Sequence, residues 1–205
     1  MAQTLFIPKE SDPNETRVAA SAETVKKFIA LGFDVVVEKG AGEKSRIPDA
    51  EFTAAGARVG TATDAKTADV VLKVRRPTDA ELKGYKSGAA LFAMLDPYGH
   101  DDAVAALAKA GISAFTMEFM PRITRAQVMD VLSSQANLAG YQAVIDAAEV
   151  YDRAMPMMMT AAGTVPAAKV FVMGAGVAGL QAIATARRLG AVVTATDVRP
   201  AAKEQ

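Results

Sequence analysis

The sequence predicts an α/β fold of two parts, a parallel-sheet domain followed by the opening half of a second parallel-sheet domain. Three observations predict it. Short β-branched runs alternate with amphipathic stretches through the first portion of the chain, the pattern of strands covered by helices. A long helical pattern then begins near Arg125. After Pro166 a new apolar strand runs directly into closely spaced glycines. Residues 1–124 therefore read as an N-terminal Rossmann-like (flavodoxin-like) domain, 125–165 as a connecting helix and junction, and 166–205 as the start of a Rossmann domain.

In the first domain the expected strands are Thr4–Ile7, Asp34–Val37, Val70–Val74, Ala89–Ala93 and Ile112–Phe115. Ser21 is placed to cap a helix whose apolar residues Val25, Phe28, Ile29 and Leu31 share one face and which stops at Gly32. Asp49–Ala55, Asp79–Lys83 and Asp101–Ala110 read as further helices, each with its Asp in the N-cap position. From Arg125 the helical period continues through Ala126, Met129, Leu132, Leu138, Val144 and Tyr151, with Gly140 as its weak point. The methionine run Met155–Met159 reads as a buried cluster beneath a domain junction, not as a binding surface.

Composition narrows the function classes. Lys plus Arg and Asp plus Glu are 23 each, so no positive surplus draws nucleic acid or anionic lipid. The chain has no cysteine, which removes disulfides, thiolate metal sites and cysteine nucleophiles, and no metal site is expected. No leader pattern and no apolar run of about 18–20 residues is present, so a cytoplasmic location is expected.

Residues 169–199 carry the chemistry. The strand Val170–Met173 leads into Gly174, Gly176 and Gly179 at the GxGxxG spacing, and a helix follows through Leu180–Leu189. Gly174 permits a tight turn, Gly176 leaves backbone space for a pyrophosphate, and Gly179 lets helix and strand approach closely. The amides at the helix start, at Val177 and Ala178, are placed to hold phosphates. A second strand, Val192–Thr196, ends at Asp197, about where this fingerprint sets an acid against the adenosine ribose hydroxyls. Strand, helix, strand and acid in register predict dinucleotide binding, with Val198 and Arg199 beside the acid in the same site. Asp197 favours NAD(H), since a carboxylate repels a 2′-phosphate, although Arg199 two residues on leaves an NADP-type reading in view. A complete Rossmann fold needs more strands after Asp197, so the chain is expected to be a fragment.

With these motifs in hand, the chain resembles the NAD(H)-binding subunit, or domain I, of proton-translocating NAD(P) transhydrogenases. The resemblance rests on IPKE at 7–10, NETRVA at 14–19, LGFDVVVEKGAG at 31–42, PRITRAQVMDVLSSQANLAGY at 121–141, TAAGTVPAAKV at 160–170 and the glycine-rich run. It covers the whole chain, and the segment 121–141 is its most specific portion. The resemblance implies a homodimer working with an NADP(H)-binding domain and a membrane domain that conducts protons. It implies a peripheral position on the inner face of the plasma membrane, and hydride transfer between NAD(H) and NADP(H). Such a transfer demands ring placement more than acid–base groups. The resemblance further implies that Arg122, Asp130 and Ser133 hold the nicotinamide while Gln127 reaches toward the second nucleotide, making Arg122, Gln127 and Asp130 the catalytic set. Without it, Arg122 and Asp130 read as a surface ion pair at a helix start.

Two other readings stand beside this one. Alanine dehydrogenases are related and share Arg17 and Lys73, which bind the substrate carboxylate there. Where they carry a catalytic histidine this chain has Asp96, and His100 sits in a polar loop where a solvated side chain is expected. The other is a non-catalytic NAD(H)-binding module, for which the Arg122–Asp130–Ser133 set would be superfluous.

Overall fold

A computed structural model describes residues 2–121 and 123–204. The chain divides into two compact units, Met1–Pro121 and Arg122–Gln205.

The first unit runs β1 (Thr4–Ile7), α1 (Ala22–Ala30), β2 (Asp34–Glu38), α2 (Asp49–Ala54), β3 (Arg58–Gly60), β4 (Val70–Arg75), α3 (Asp79–Leu82), β5 (Ala90–Met94), α4 (Asp101–Lys109) and β6 (Ser113–Thr116). All six strands are parallel, in the order β3-β2-β1-β4-β5-β6. This is the Rossmann order, one strand longer than the five-stranded flavodoxin arrangement. The extra strand is β3. Its three residues are too few to show a period, and it lies at the sheet edge.

Side-chain alternation builds a core on both faces. Leu5, Ile7, Val35 and Val37 face α1 and α2 with Val25 and Phe52, while Phe6, Val36, Val71 and Leu91 face the other side with Leu82 and Leu107. Ser21 caps α1 by accepting the Thr24 amide at 3.2 Å, and Gly32, at φ 94°, follows the helix end. The three expected aspartate caps are corrected. Asp49, Asp79 and Asp101 are the first helical residues, and Pro48, Thr78 and His100 precede them at the cap. The acids still act on the positive end of the helix dipole. At α3 the capping box belongs to Thr78 and Glu81.

The second unit holds α5 (Val131–Val150), the antiparallel hairpin β7 (Met158–Thr160) and β8 (Gly163–Val165), then β9 (Lys169–Met173), α6 (Val177–Arg188) and β10 (Val192–Thr196). β9 and β10 pair in parallel across α6, forming one βαβ unit. Two expectations change here. The helix expected from Arg125 is broken: Thr124–Met129 form a 3₁₀ helix, and α5 starts only after Asp130. The Asp130 carboxylate accepts the Leu132 and Ser133 amides at 3.1 and 3.0 Å, so a local cap outcompetes continuation of the helical period. The methionine run is not a buried cluster. Met157, Met158 and Met159 are exposed, and the last two pair with Val165 and Thr164 in the hairpin.

Candidate functional site

The turn between β9 and α6 has the geometry that its glycines were expected to permit. Gly174 sits at φ 102°, a conformation that L side chains rarely adopt, and its amide donates to Thr196 O at 2.7 Å in β10. A Cβ on Gly179 would overlap the Gly174 carbonyl oxygen, so strand end and helix start meet backbone to backbone. At Gly176 a Cβ would find a single heavy atom within 4 Å, Nη2 of Arg199 at 3.9 Å. No side chain caps α6, leaving the first-turn amides of Val177, Ala178 and Gly179 as donors at the positive end of the helix. The turn thus offers approachable backbone and unclaimed N–H groups, the requirements for an anionic diphosphate. NAD fits these residues.

Asp197 closes the turn from the end of β10. Its Oδ2 accepts the Ala175 amide at 2.7 Å, tying the acid to the glycine loop, and its Oδ1 accepts the Arg199 amide at 2.8 Å. The Arg199 guanidinium adds Nε to Oδ1 and Nη2 to Oδ2, both at 3.0 Å. These bonds from Arg199, with the Ala175 amide, hold the Asp197 carboxyl well below the usual carboxylate range. Val198 is fully exposed beside them.

A cleft of about 390 Å³ runs from this turn to the start of α5, lined by Gly174, Gly176, Val177, Ala178 and Gly179 on one side and Leu132, Ser133 and Ala136 on the other. Ser133 therefore shares a cleft with the glycine loop. Asp130 stands one bond behind it, accepting the Ser133 hydroxyl at 2.7 Å on Oδ2. Gln127 lies in the exposed 3₁₀ helix, outside the residues lining this cleft. Arg122 lies outside the described residues. Sequence reasoning missed Leu132 and Ala136 as lining residues, and it misread Gly140. A Cβ at Gly140 would overlap the Ala178 carbonyl, so the weak point of the helical pattern is where α6 begins its path across α5. Asn137 Nδ2 donates to Gln181 Oε1 at 3.2 Å along the same crossing. A glycine in a strongly helical stretch was the available signal.

The first unit concentrates charge at the same kind of edge. Lys73 is fully buried, paired with Glu81 at 2.5 Å and Glu10 at 3.5 Å. Glu15 receives Arg17 Nε at 2.7 Å and Arg75 Nε at 2.9 Å; the Arg17 bond, foremost, lowers its pKa to about 2 against the opposing effect of burial. Arg17 and Lys73 are thus engaged in ion pairs. Asp96 sits at φ 46° with an exposed side chain, and the half-exposed His100 ring nitrogen Nδ1 lies 2.9 Å from Asp96 O. Among the described residues no group of three or more histidines and carboxylates is placed to hold a metal, and no helix is long and apolar enough to cross a membrane.

A parallel sheet followed by a glycine-turn βαβ unit closed by an acid defines a two-unit α/β protein of the Rossmann class. The chain belongs to the alanine dehydrogenase/PNT family: residues 6–139 match its N-terminal domain and 143–205 its C-terminal domain. It is 59% identical over 208 aligned residues to an NAD(P) transhydrogenase subunit alpha of Rhodospirillum rubrum, covering 98% of this chain and 54% of that protein. The crystal structure of transhydrogenase from Sinorhizobium meliloti superimposes with a TM-score of 0.96 at 76% identity, covering 98% of this chain and 61% of that one. Alanine dehydrogenase of Mycobacterium tuberculosis is 35% identical over 197 residues, covering 94% of this chain and 53% of that enzyme. The chain spans about half the length of the curated relatives it matches.

Proposed function

We propose that this chain belongs to the NAD(H)-binding component of a proton-translocating transhydrogenase, in which a hydride passes between NAD(H) on this chain and NADP(H) on a partner domain. The observation that carries the reading is Asp197, held by the Ala175 amide against a glycine turn whose helix amides are uncapped. When bound, NAD(H) supplies the hydride. The chain's own residues then bind and orient. The amides of Val177 and Ala178 hold the diphosphate beside Gly174, Gly176 and Gly179. Asp197, with Val198 and Arg199, takes the adenosine ribose. Asp130 and Ser133, already bonded to each other, fix the nicotinamide end together with Arg122. Gln127, exposed and ahead of this group, meets the second nucleotide. A homodimer, docked to an NADP(H)-binding domain and a membrane proton channel at the inner face of the plasma membrane, completes the assembly that this reading requires.

Two measurements test it in the full-length protein. NADH should bind more tightly than NADPH by calorimetry, and Asp197→Asn should narrow the gap; tighter NADPH binding by the unmutated protein overturns the reading. Gln127→Asn should slow single-turnover hydride transfer by roughly a hundredfold, because misplacing the rings by about 1 Å suffices, while NADH affinity stays within about twofold. An unchanged hydride step removes Gln127 from the role.

A further inference from the structure

The four hydrogen bonds received by Asp197 fall into two kinds. Two come from backbone amides, Ala175 to Oδ2 and Arg199 to Oδ1, and these fix the carboxylate in place. The other two come from the tip of the Arg199 side chain, Nε to Oδ1 and Nη2 to Oδ2, one donor for each oxygen. A ribose presents the same pattern, since its vicinal 2′- and 3′-hydroxyls offer two adjacent O–H donors to the two oxygens of one carboxylate. The guanidinium therefore stands in the donor positions that a ribose diol needs.

The two partners differ in freedom. The Asp197 side chain is 9% exposed and anchored by amides, while that of Arg199 is 60% exposed and held by this ion pair. An exposed pair of this kind exchanges at little cost. The same guanidinium also has a second destination at hand. Its Nη2 would stand 3.9 Å from a Cβ on Gly176, beside the backbone across which a diphosphate passes in a glycine turn. A guanidinium makes a strong forked contact with phosphate oxygens.

We propose that Arg199 is an exchange residue: as nucleotide binds, the ribose diol takes its place on Asp197, and the released guanidinium turns onto the diphosphate. The proposal rests on the NAD(H) reading above and adds a selection rule to it. A ligand with the diol but no diphosphate must displace the guanidinium and gives it nowhere to go. A ligand with both groups gains the phosphate contact while keeping the carboxylate for its hydroxyls. A 2′-phosphate meets Asp197 without Arg199 beside it to neutralise the charge, so an arginine two residues past the acid is compatible with preference for NAD(H) over NADP(H).

The test compares adenosine, ADP and NADH binding to the full-length protein and its Arg199→Gln and Arg199→Lys variants by calorimetry, with adenosine measured by competition against NADH. Arg199→Gln should leave adenosine affinity unchanged or raise it, and weaken ADP and NADH by about tenfold, the worth of one charge-assisted bond. Arg199→Lys should recover some of the ADP affinity. Equal weakening of adenosine and ADP would mean that the guanidinium stays on Asp197, and unchanged ADP affinity would mean that it makes no phosphate contact; either overturns the exchange while leaving the NAD(H) reading intact. If the unmutated protein binds neither ADP nor NADH, both fall.

Discussion

The C-terminal edges of the two parallel sheets make an instructive pair. Behind β1 and β4 the edge is closed by the protein's own charges: Lys73 is buried between Glu10 and Glu81, and Glu15 gathers Arg17 and Arg75. Behind β9 the edge is left open, because Gly174, Gly176 and Gly179 replace side chains with backbone and α6 carries no cap. Both units join parallel strands through helical crossovers. What differs is whether the polar groups at the strand ends satisfy one another or wait for a ligand. The fold offers two equivalent positions, and edge chemistry decides which of them reads as a site.

The largest expected effect breaks the open edge. Gly179→Val would drive a side chain into the Gly174 carbonyl, so NADH affinity should fall by more than about a hundredfold in fluorescence titration, as expected when the pyrophosphate turn is dismantled. The first unit should keep its protection in hydrogen exchange; parallel loss in both units would show that the two edges are not independent.

The next breaks the closed edge. Glu15→Gln removes a carboxylate that is 4% exposed and holds two arginines, and should cost about 2 kcal/mol in urea unfolding at neutral pH. The sign of its pH dependence follows from a folded pKa lowered from 4.5 to about 2. Its stabilisation is fully present above 4.5 and is lost as pH falls from there toward 2, so the gap between wild type and variant should close within that window. A gap that widens on acidification contradicts the assignment. Nucleotide affinity of the variant should remain unchanged.

The smallest effect sharpens the comparison within the second unit. Asp130→Ala removes the cap of α5, worth about 1 kcal/mol of stability by thermal unfolding. It should also unseat the Ser133 hydroxyl. If stability drops but NADH affinity does not, Asp130 serves the helix and not the cofactor.

Much of this contrast was legible in the residues. Strands β1, β2, β4 and β5 announce themselves because both faces are buried and β-branched residues run without interruption, as in Val35–Val37. The glycine turn and Asp197 are legible because sterics allow few residues at Gly174 and Gly179. The edge strand β3 escaped, being three residues with one buried, and so did the hairpin at Met158–Val165, whose strand residues are all exposed. Apolar periodicity also runs straight through Asp130, because a side-chain cap contributes nothing to a hydrophobic pattern. The pairing of Glu15 with Arg75 was illegible for another reason: 60 positions separate them, and no local rule reaches that far.

Gly140 gives α5 the character of a ruler. The helix is notched where the Ala178 carbonyl presses against it, and Ser133 stands seven residues earlier on the same rod, about 10 Å away along the axis at about 1.5 Å per residue. Because an α-helix resists stretching, the spacing between the glycine turn and the far wall of the cleft is graduated by helical pitch and is independent of loop conformation. A glycine costs about 1 kcal/mol relative to alanine in mid-helix, and here that cost sets the zero mark from which the reach of the cleft is measured.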